Sequence, residues 1–410
     1  VPEESVVTGY LLLGLRLGRL VDGFVDCWFG DPGLAARVAA EPAADPADLA
    51  RDAAGLRRRL PGSGLERARR DFLDAQLRAL ECSARRLSGE PVTFGAEVAA
   101  YFNVEIGLTD PDRYAAVHDE IDALLPGGGP LAGRLHARQD DDRVSPADLE
   151  RAVRALSAEL REVVGARFGL PPGESVEYRV VTGKPWNAFN RYHGGYRSVV
   201  ELNADAGHGL SALPHLATHE CYPGHHTEHC AKERALVRER GHAEQVISLV
   251  NTPQCLVAEG MAEAALEAVL GEGWGPWTAR VLEEAGLRLD GEFAERLLPL
   301  TARLLPARQD AAVMLHDRGA DPDDVVAYLS RWMLVPEARA RHMVRFLTDP
   351  LWRAYTVTYI EGARLVRAWL RARPAGQPVA DRYRRLLDEP LLPAELAAAV
   401  PGTAAGGNAR

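Results

Sequence analysis

The segment Thr218-His219-Glu220-Cys221-Tyr222-Pro223-Gly224-His225-His226-Thr227-Glu228-His229 holds four of the twelve histidines in a chain of 410 residues. Neutral imidazole is the commonest biological zinc ligand, so this density beside carboxylates suits a metal better than a solvated polar face. His219-Glu220 opens like the HExxH motif, in which two histidines one helical turn apart hold zinc. There the adjacent glutamate is general base toward the attacking water. The fourth residue after His219 is Pro223, so the second ligand has to come from further along. In an unbroken helix His226 returns near the His219 face, about 10.5 Å up the axis. If Pro223-Gly224 breaks the helix, since proline cannot donate to the carbonyl four residues back, His225 swings onto that face instead. His226 is slightly favoured, and both stay open.

A catalytic zinc needs a third protein ligand and one open position. Downstream, Glu259, Glu263 and Glu267 recur every four residues on a helical segment and so form one stripe. Glu267 reads as a solvent-facing residue. Glu259 follows Leu256-Val257-Ala258 and precedes Gly260, where a second helix could pack closely, and it is the expected third ligand. Glu263, one turn on, is placed to hydrogen-bond a ligand histidine from behind. Helix phase turns Cys221 away from His219, and Cys221 and Cys230 read as packing residues.

His219-Glu-x-x-Pro-Gly-His-His226 followed by Glu259-Gly-x-Ala262 resembles the bacterial DUF885 family, relatives of the gluzincin zinc metallopeptidases. The stretch Tyr10 to Pro32 and the late segment Trp352 to Gly362 are similar to other parts of that family, so the resemblance spans nearly the whole chain. Met261 departs from it, standing where the family carries Trp. The resemblance implies a mainly α, elongated multi-helix body with a deep cleft and a small β-sheet next to the metal-binding helix. It also implies that Tyr196 to Asn203 is an edge strand able to pair with an extended substrate.

Around this core, Tyr355 and Tyr359 lie four apart on one helical face and suit stabilisation of an oxyanion. Arg191, Tyr192, His193 and Arg197 flank Gly194-Gly195 and suit a substrate carboxylate, and Asn203 is a further expected substrate-binding residue. The set as a whole fits a zinc-dependent hydrolase cleaving an amide or peptide bond by metal-activated water, with Glu220 as base. Two alternatives remain: a metal-dependent biosynthetic enzyme acting on one small natural-product intermediate, and a non-catalytic metal- or ligand-binding protein. The expected partner is a small-molecule or peptide substrate.

The elements that must position these groups read as helices at 8–27, 64–87, 113–125, 147–168, 228–249, 253–271, 276–305, 308–317, 322–333, 336–347 and 350–373. Val176 to Val181 and Tyr196 to Asn203 alternate like strands, with a hairpin-like excursion between them. A division near residue 170 separates an N-terminal helical region, 1–170, from a metal-binding region, 171–400, and 401–410 reads as a disordered tail.

The net charge of −10 argues against a nucleic-acid partner and against an anionic membrane surface. Only Lys184 and Lys232 are lysines, and this arginine bias suggests a GC-rich genome. Five cysteines without CxxC spacing argue for a reducing compartment, and the apolar run Tyr10–Leu15 is too short to span a bilayer. A cytoplasmic location is the expectation.

Overall fold

Many of the helices announce their own starts. Asp31, Asp45, Asp110, Ser145 and Asp321 each accept a backbone N–H from the first turn with their side chains, and each is followed by proline at the first helical position. The side chain satisfies one orphan donor, and proline's fixed φ suits a position that has no donor to lose. The computed structural model describes residues 5–184 and 186–400, and these form a mainly α-helical body with two small sheets. The expected disordered tail, 401–410, lies outside the described residues. No helix among them is long and apolar enough to cross a membrane.

The helix Pro253–Val269 runs through the middle. Thr252 caps it, its Oγ1 accepting from the Cys255 amide at 3.3 Å. Leu256, Val257, Met261, Ala264, Ala265 and Ala268 are all buried in the largest core cluster, so the helix is covered on almost every side. Met261 is a core residue, 1% exposed. Gly260 permits the closest packing: a Cβ there would collide with the backbone of Gly362, in the wide π-helical turn Thr358–Gly362. This contact brings Tyr355 and Tyr359 over the glutamate face of the central helix.

Two strands replace expected helix. The first helix ends at Leu20, and Val25–Trp28 forms β1, which pairs antiparallel with Ile247–Leu249. The helix expected over 228–249 is instead His225–Lys232, continued by a π-helical turn to Glu239 and then by that strand. Each strand finds its partner some 220 positions away, information that local periodicity does not carry. The expected helix over 276–305 likewise divides into Trp274–Glu284 and Gly291–Ala302.

The other sheet contains Ser175–Val181 (β2), Ala188–Tyr192 (β3) and Arg197–Asn203 (β4), in the order β2-β4-β3. β4 therefore is not the edge expected of it. The excursion folds back as β3, antiparallel to β4, and β2 lies parallel on the other side. Ser198, Val199, Val200, Leu202 and Asn203 are buried, as suits a central strand. The edge beside the metal-binding segment is β3, where Asn190 Nδ2 donates to the Glu220 carbonyl at 2.7 Å.

Residues from both sides of position 170 share the largest core: Val98, Tyr101, Leu156 and Phe168 pack with Leu213, Leu256 and Tyr383. A second cluster joins the first helix to Val246, Ile247 and Leu249.

Gly260→Ala forces two backbones apart where neither can yield. The expected cost is about 3 kcal/mol or more, read as a lowered denaturation midpoint; a change within about 0.5 kcal/mol would refute this packing.

Candidate metal centre

The helix Leu213–Glu220 stops just after His219, and the next helix, His225–Lys232, starts after a four-residue turn. Cys221 leaves helical geometry at φ −115°, ψ −91°. The chain then folds back on the helix end, so that the Gly224 amide donates to the Thr218 carbonyl at 2.8 Å. A Cβ on Gly224 would overlap the carbonyl oxygens of Thr218 and His219, so only glycine fits this return. His225 thereby comes to the His219 face, and their Nε2 atoms lie 3.2 Å apart.

The expectation that His226 supplies the second nitrogen is corrected by this turn. His226 is fully buried on the opposite side, with Nε2 2.8 Å from Glu174 Oε2 and Nδ1 2.8 Å from Ser198 Oγ. Glu174 also accepts from Tyr222 Oη at 2.7 Å and Arg161 Nε at 2.5 Å. The pair His225-His226 thus divides its labour: one ring enters the site, and the other anchors the turn to β4 and Glu174.

Glu259 completes a triangle. Its Oε2 lies 3.3 Å from His219 Nε2 and its Oε1 3.4 Å from His225 Nε2. Ligands about 2.0–2.1 Å from a tetrahedral zinc are separated from one another by about 3.3–3.4 Å. The three donors already stand at that spacing, and Glu259 Oε2 is a buried atom with no hydrogen-bond partner. These residues therefore fit a divalent cation. Behind them, Glu263 Oε1 sits 3.5 Å from His219 Nδ1 while its Oε2 is 3.3 Å from His215 Nε2. His215, His219 and Glu263 could also enclose an ion. Using His219 through Nε2 instead leaves Nδ1 facing Glu263, the usual carboxylate support of a ligand imidazole.

The charges respond to this crowding. Burial would lower the His219 pKa, but the Glu259 and Glu263 carboxylates beside it raise it to about 10. Burial pushes Glu259 up, and the two imidazoles reverse that and hold it well below the usual carboxylate range. Burial raises the Glu220 pKa, opposed by His219 and His225. Asp26, on β1, is lifted to about 7 by burial, with His225 pulling the other way.

The accessory residues separate. Tyr355 Oη donates to Glu259 Oε1 at 2.6 Å. The Tyr359 ring lies 6.3 Å from the His219 ring, and its hydroxyl has no hydrogen bond among the described residues. The expected carboxylate binders lie elsewhere. Arg191 pairs with Glu201 at 2.9 Å, Tyr192 is buried and donates to Glu233, and Arg197 is exposed. Asn203 is buried, donating to the carbonyls of Lys184 and Trp186 at 3.0 and 2.9 Å. Glu267 is exposed, and Cys221 and Cys230 are buried. Sequence reasoning passed over Asp26, which lines a cavity with His225, Cys255, Glu259 and Tyr355. Asp26 lies within Tyr10 to Pro32, where neither residue type nor spacing marks it for chemistry.

No protein-family model matches the chain, and no curated protein matches it in sequence. Its fold is shared with two solved structures. One is a protein of Colwellia psychrerythraea provisionally named a lipoprotein, at TM-score 0.54 and 13% identity, covering 90% of this chain and 68% of the other. The second, from Shewanella oneidensis, is provisionally named a lipoprotein of unknown function; it matches at TM-score 0.54 and 14% identity, covering 88% and 74%. The M32 carboxypeptidase of Deinococcus radiodurans R1 aligns at TM-score 0.38 and 13% identity over 93% of this chain and 86% of its own.

The metal-free centre carries a pH signature. His219 is raised from about 6.5 in the unfolded chain to about 10 when folded. Its contribution to stability is full below about pH 6.5 and is lost as pH rises through about 10. Chelated protein should therefore lose denaturant resistance across that window, whereas zinc-loaded protein should not. A flat profile after chelation would contradict the coupling of His219 to Glu259 and Glu263.

Proposed function

We propose that this chain is a zinc-dependent hydrolase of an amide or peptide bond, related to the DUF885 proteins and through them to the gluzincins. The observation carrying this reading is the convergence of His219 Nε2, His225 Nε2 and the Glu259 carboxylate at 3.2–3.4 Å, with Glu220 adjacent in sequence. Two imidazoles and one carboxylate leave a fourth tetrahedral position for water and substrate. When bound, zinc would supply Lewis acidity toward a carbonyl oxygen and make water more acidic.

The remaining chemistry belongs to the protein. Glu220 lies within electrostatic reach of His219, His225 and Glu259, and its backbone carbonyl is fixed by Asn190. Its carboxylate takes a proton from the attacking water as the oxygen bonds to the carbonyl carbon. It returns that proton to the nitrogen as the C–N bond breaks, so one residue serves as base and then as acid. Its raised pKa suits both tasks. Tyr359, whose ring lies 6.3 Å from the His219 ring and whose hydroxyl makes no hydrogen bond among the described residues, donates to the carbonyl oxygen as negative charge develops. Tyr355 gives its proton to Glu259 and so orients a ligand, a positioning role.

Glu220→Gln is expected to lower peptide hydrolysis by roughly 10²–10⁴-fold while metal content stays near one ion per chain. His225→Ala should lose the metal; His226→Ala should keep it and lose stability instead. Elemental analysis, a peptide-hydrolysis assay and a denaturation midpoint together read all three. Full turnover in Glu220→Gln, or equal metal content in His225→Ala and wild type, would sink this assignment.

A further inference from the structure

Each of the three donors at the centre already has a support of its own. Glu263 Oε1 stands 3.5 Å from His219 Nδ1, Glu228 Oε2 lies 3.9 Å from His225 Nδ1, and Tyr355 donates to Glu259 at 2.6 Å. Glu228 is in turn paired with Lys232. Glu220, which has no hydrogen bond or ion pair among the described residues, is the base of the reaction proposed above. One carboxylate is left without a task. Asp26 also has no hydrogen bond or ion pair among the described residues, and it lines the cavity shared by His225, Glu259 and Tyr355.

The backbone sets its aim. Between Val25 and Cys27 the pairing with Ile247–Leu249 slips by one residue, so Asp26 is the extra residue of a β-bulge. Bulges re-aim the side chain they carry and recur beside active sites. The residues on either side are used in packing: Val25 lies against the cluster of the first helix, and Cys27 packs with Tyr192 and Cys230. Asp26 alone of the three turns into the cavity, half-buried there.

An unpaired carboxylate out of bulk water calls for a cation. A metal ion needs a cage, and among the described residues Asp26 belongs to neither cluster of donors that could hold one. An ammonium is matched by one carboxylate through a charge-assisted hydrogen bond. The cavity is small, about 50 Å³, where a water-sized group takes about 10–15 Å³. It accepts an ammonium, its Cα and a short side chain, against walls that include Phe29, Leu249 and Ala258. His225 and Glu259 line the same space. A carbonyl held at their ion and an ammonium held at Asp26 therefore belong to one residue, which spans at most about 3.6 Å.

We propose that this cavity receives the free α-ammonium of the substrate, with Asp26 as its counter-ion, so that the chain removes a single small residue from the N-terminus of a peptide. This rests on the hydrolase reading above and names its substrate class. The bond cut is the first peptide bond. The oxygen of water joins the carbonyl carbon of the released amino acid, and a proton passes through Glu220 to the nitrogen of the shortened peptide.

Two ligands of the same shape separate the charge from the rest. Calorimetry on zinc-loaded Glu220→Gln protein at about pH 7, where an α-amino group is protonated, would compare alanyl-alaninamide with propionyl-alaninamide, which carries hydrogen in place of the ammonium. The charged ligand is expected to bind roughly tenfold or more tightly. An added Asp26→Asn should bring the two affinities together and leave zinc content and the affinity of the propionyl form unchanged, whereas Asp26→Glu should keep the preference. Equal affinity in the parent protein, no binding of either ligand, or a preference that survives Asp26→Asn would overturn the proposal. So would loss of zinc, or equal weakening of both ligands, in Asp26→Asn, the outcome expected if Asp26 only braces His225. Wild-type hydrolysis of N-acetylated and free peptides at equal rates leaves the hydrolase reading standing and removes the ammonium site. Preference in binding with no turnover of any peptide removes the hydrolase reading instead.

Discussion

The whole centre depends on one close approach of backbone to backbone. At the end of the His219 helix, the Gly224 amide reaches the Thr218 carbonyl, and no side chain larger than hydrogen fits between that turn and the helix end. This tightness moves the chain from one side of the helix to the other within four residues. Without it, residue 225 would follow the helical screw away from His219. With it, two imidazole nitrogens face one another across 3.2 Å, a distance that only a hydrogen bond or a shared ion makes favourable.

A turn this tight must be held, and the support comes from behind. His226, Tyr222 and Arg161 all converge on Glu174, which sits at the entry to β2, and Ser198 on β4 bonds the other nitrogen of the His226 ring. A buried carboxylate with three donors is well compensated, so this network fixes the turn without stranding a charge. On the far side, the central helix presents Glu259, and Tyr355 sets the orientation of its carboxylate. Gly260 lets the tyrosine-bearing turn come near enough for that bond. Sheet, turn and central helix thus grip the centre from three directions.

Much of this was readable from the chain alone, for identifiable reasons. Amphipathic periodicity located most helices, and the Asp-Pro and Ser-Pro starts mark their beginnings directly. His219 and Glu259 followed from residue type and spacing. The choice between His225 and His226 did not, because it turns on the path of four residues whose geometry is set by a clash that only the folded backbone displays. β1 and its partner Ile247–Leu249 were hidden for a related reason: each is short and becomes a strand only through the other. Arg191, Arg197 and Asn203 looked suitable beside a glycine pair, yet the sheet turns the first toward Glu201, leaves the second in solvent and uses the third to fasten a loop.

The pairing of β1 with Ile247–Leu249 bears on how the centre comes into being. Asp26 reaches the cavity only because an early strand docks beside a segment made more than two hundred residues later, and Glu174, Glu259 and Tyr355 arrive from other distant parts. Contacts of such sequence separation close late, since each requires loop entropy to be overcome first. A nascent chain emerging from the ribosome would therefore expose the His219–His229 segment before most of its cage exists. The three donor atoms of His219, His225 and Glu259 thus meet only in the finished topology, and no part of the chain on its own presents them together.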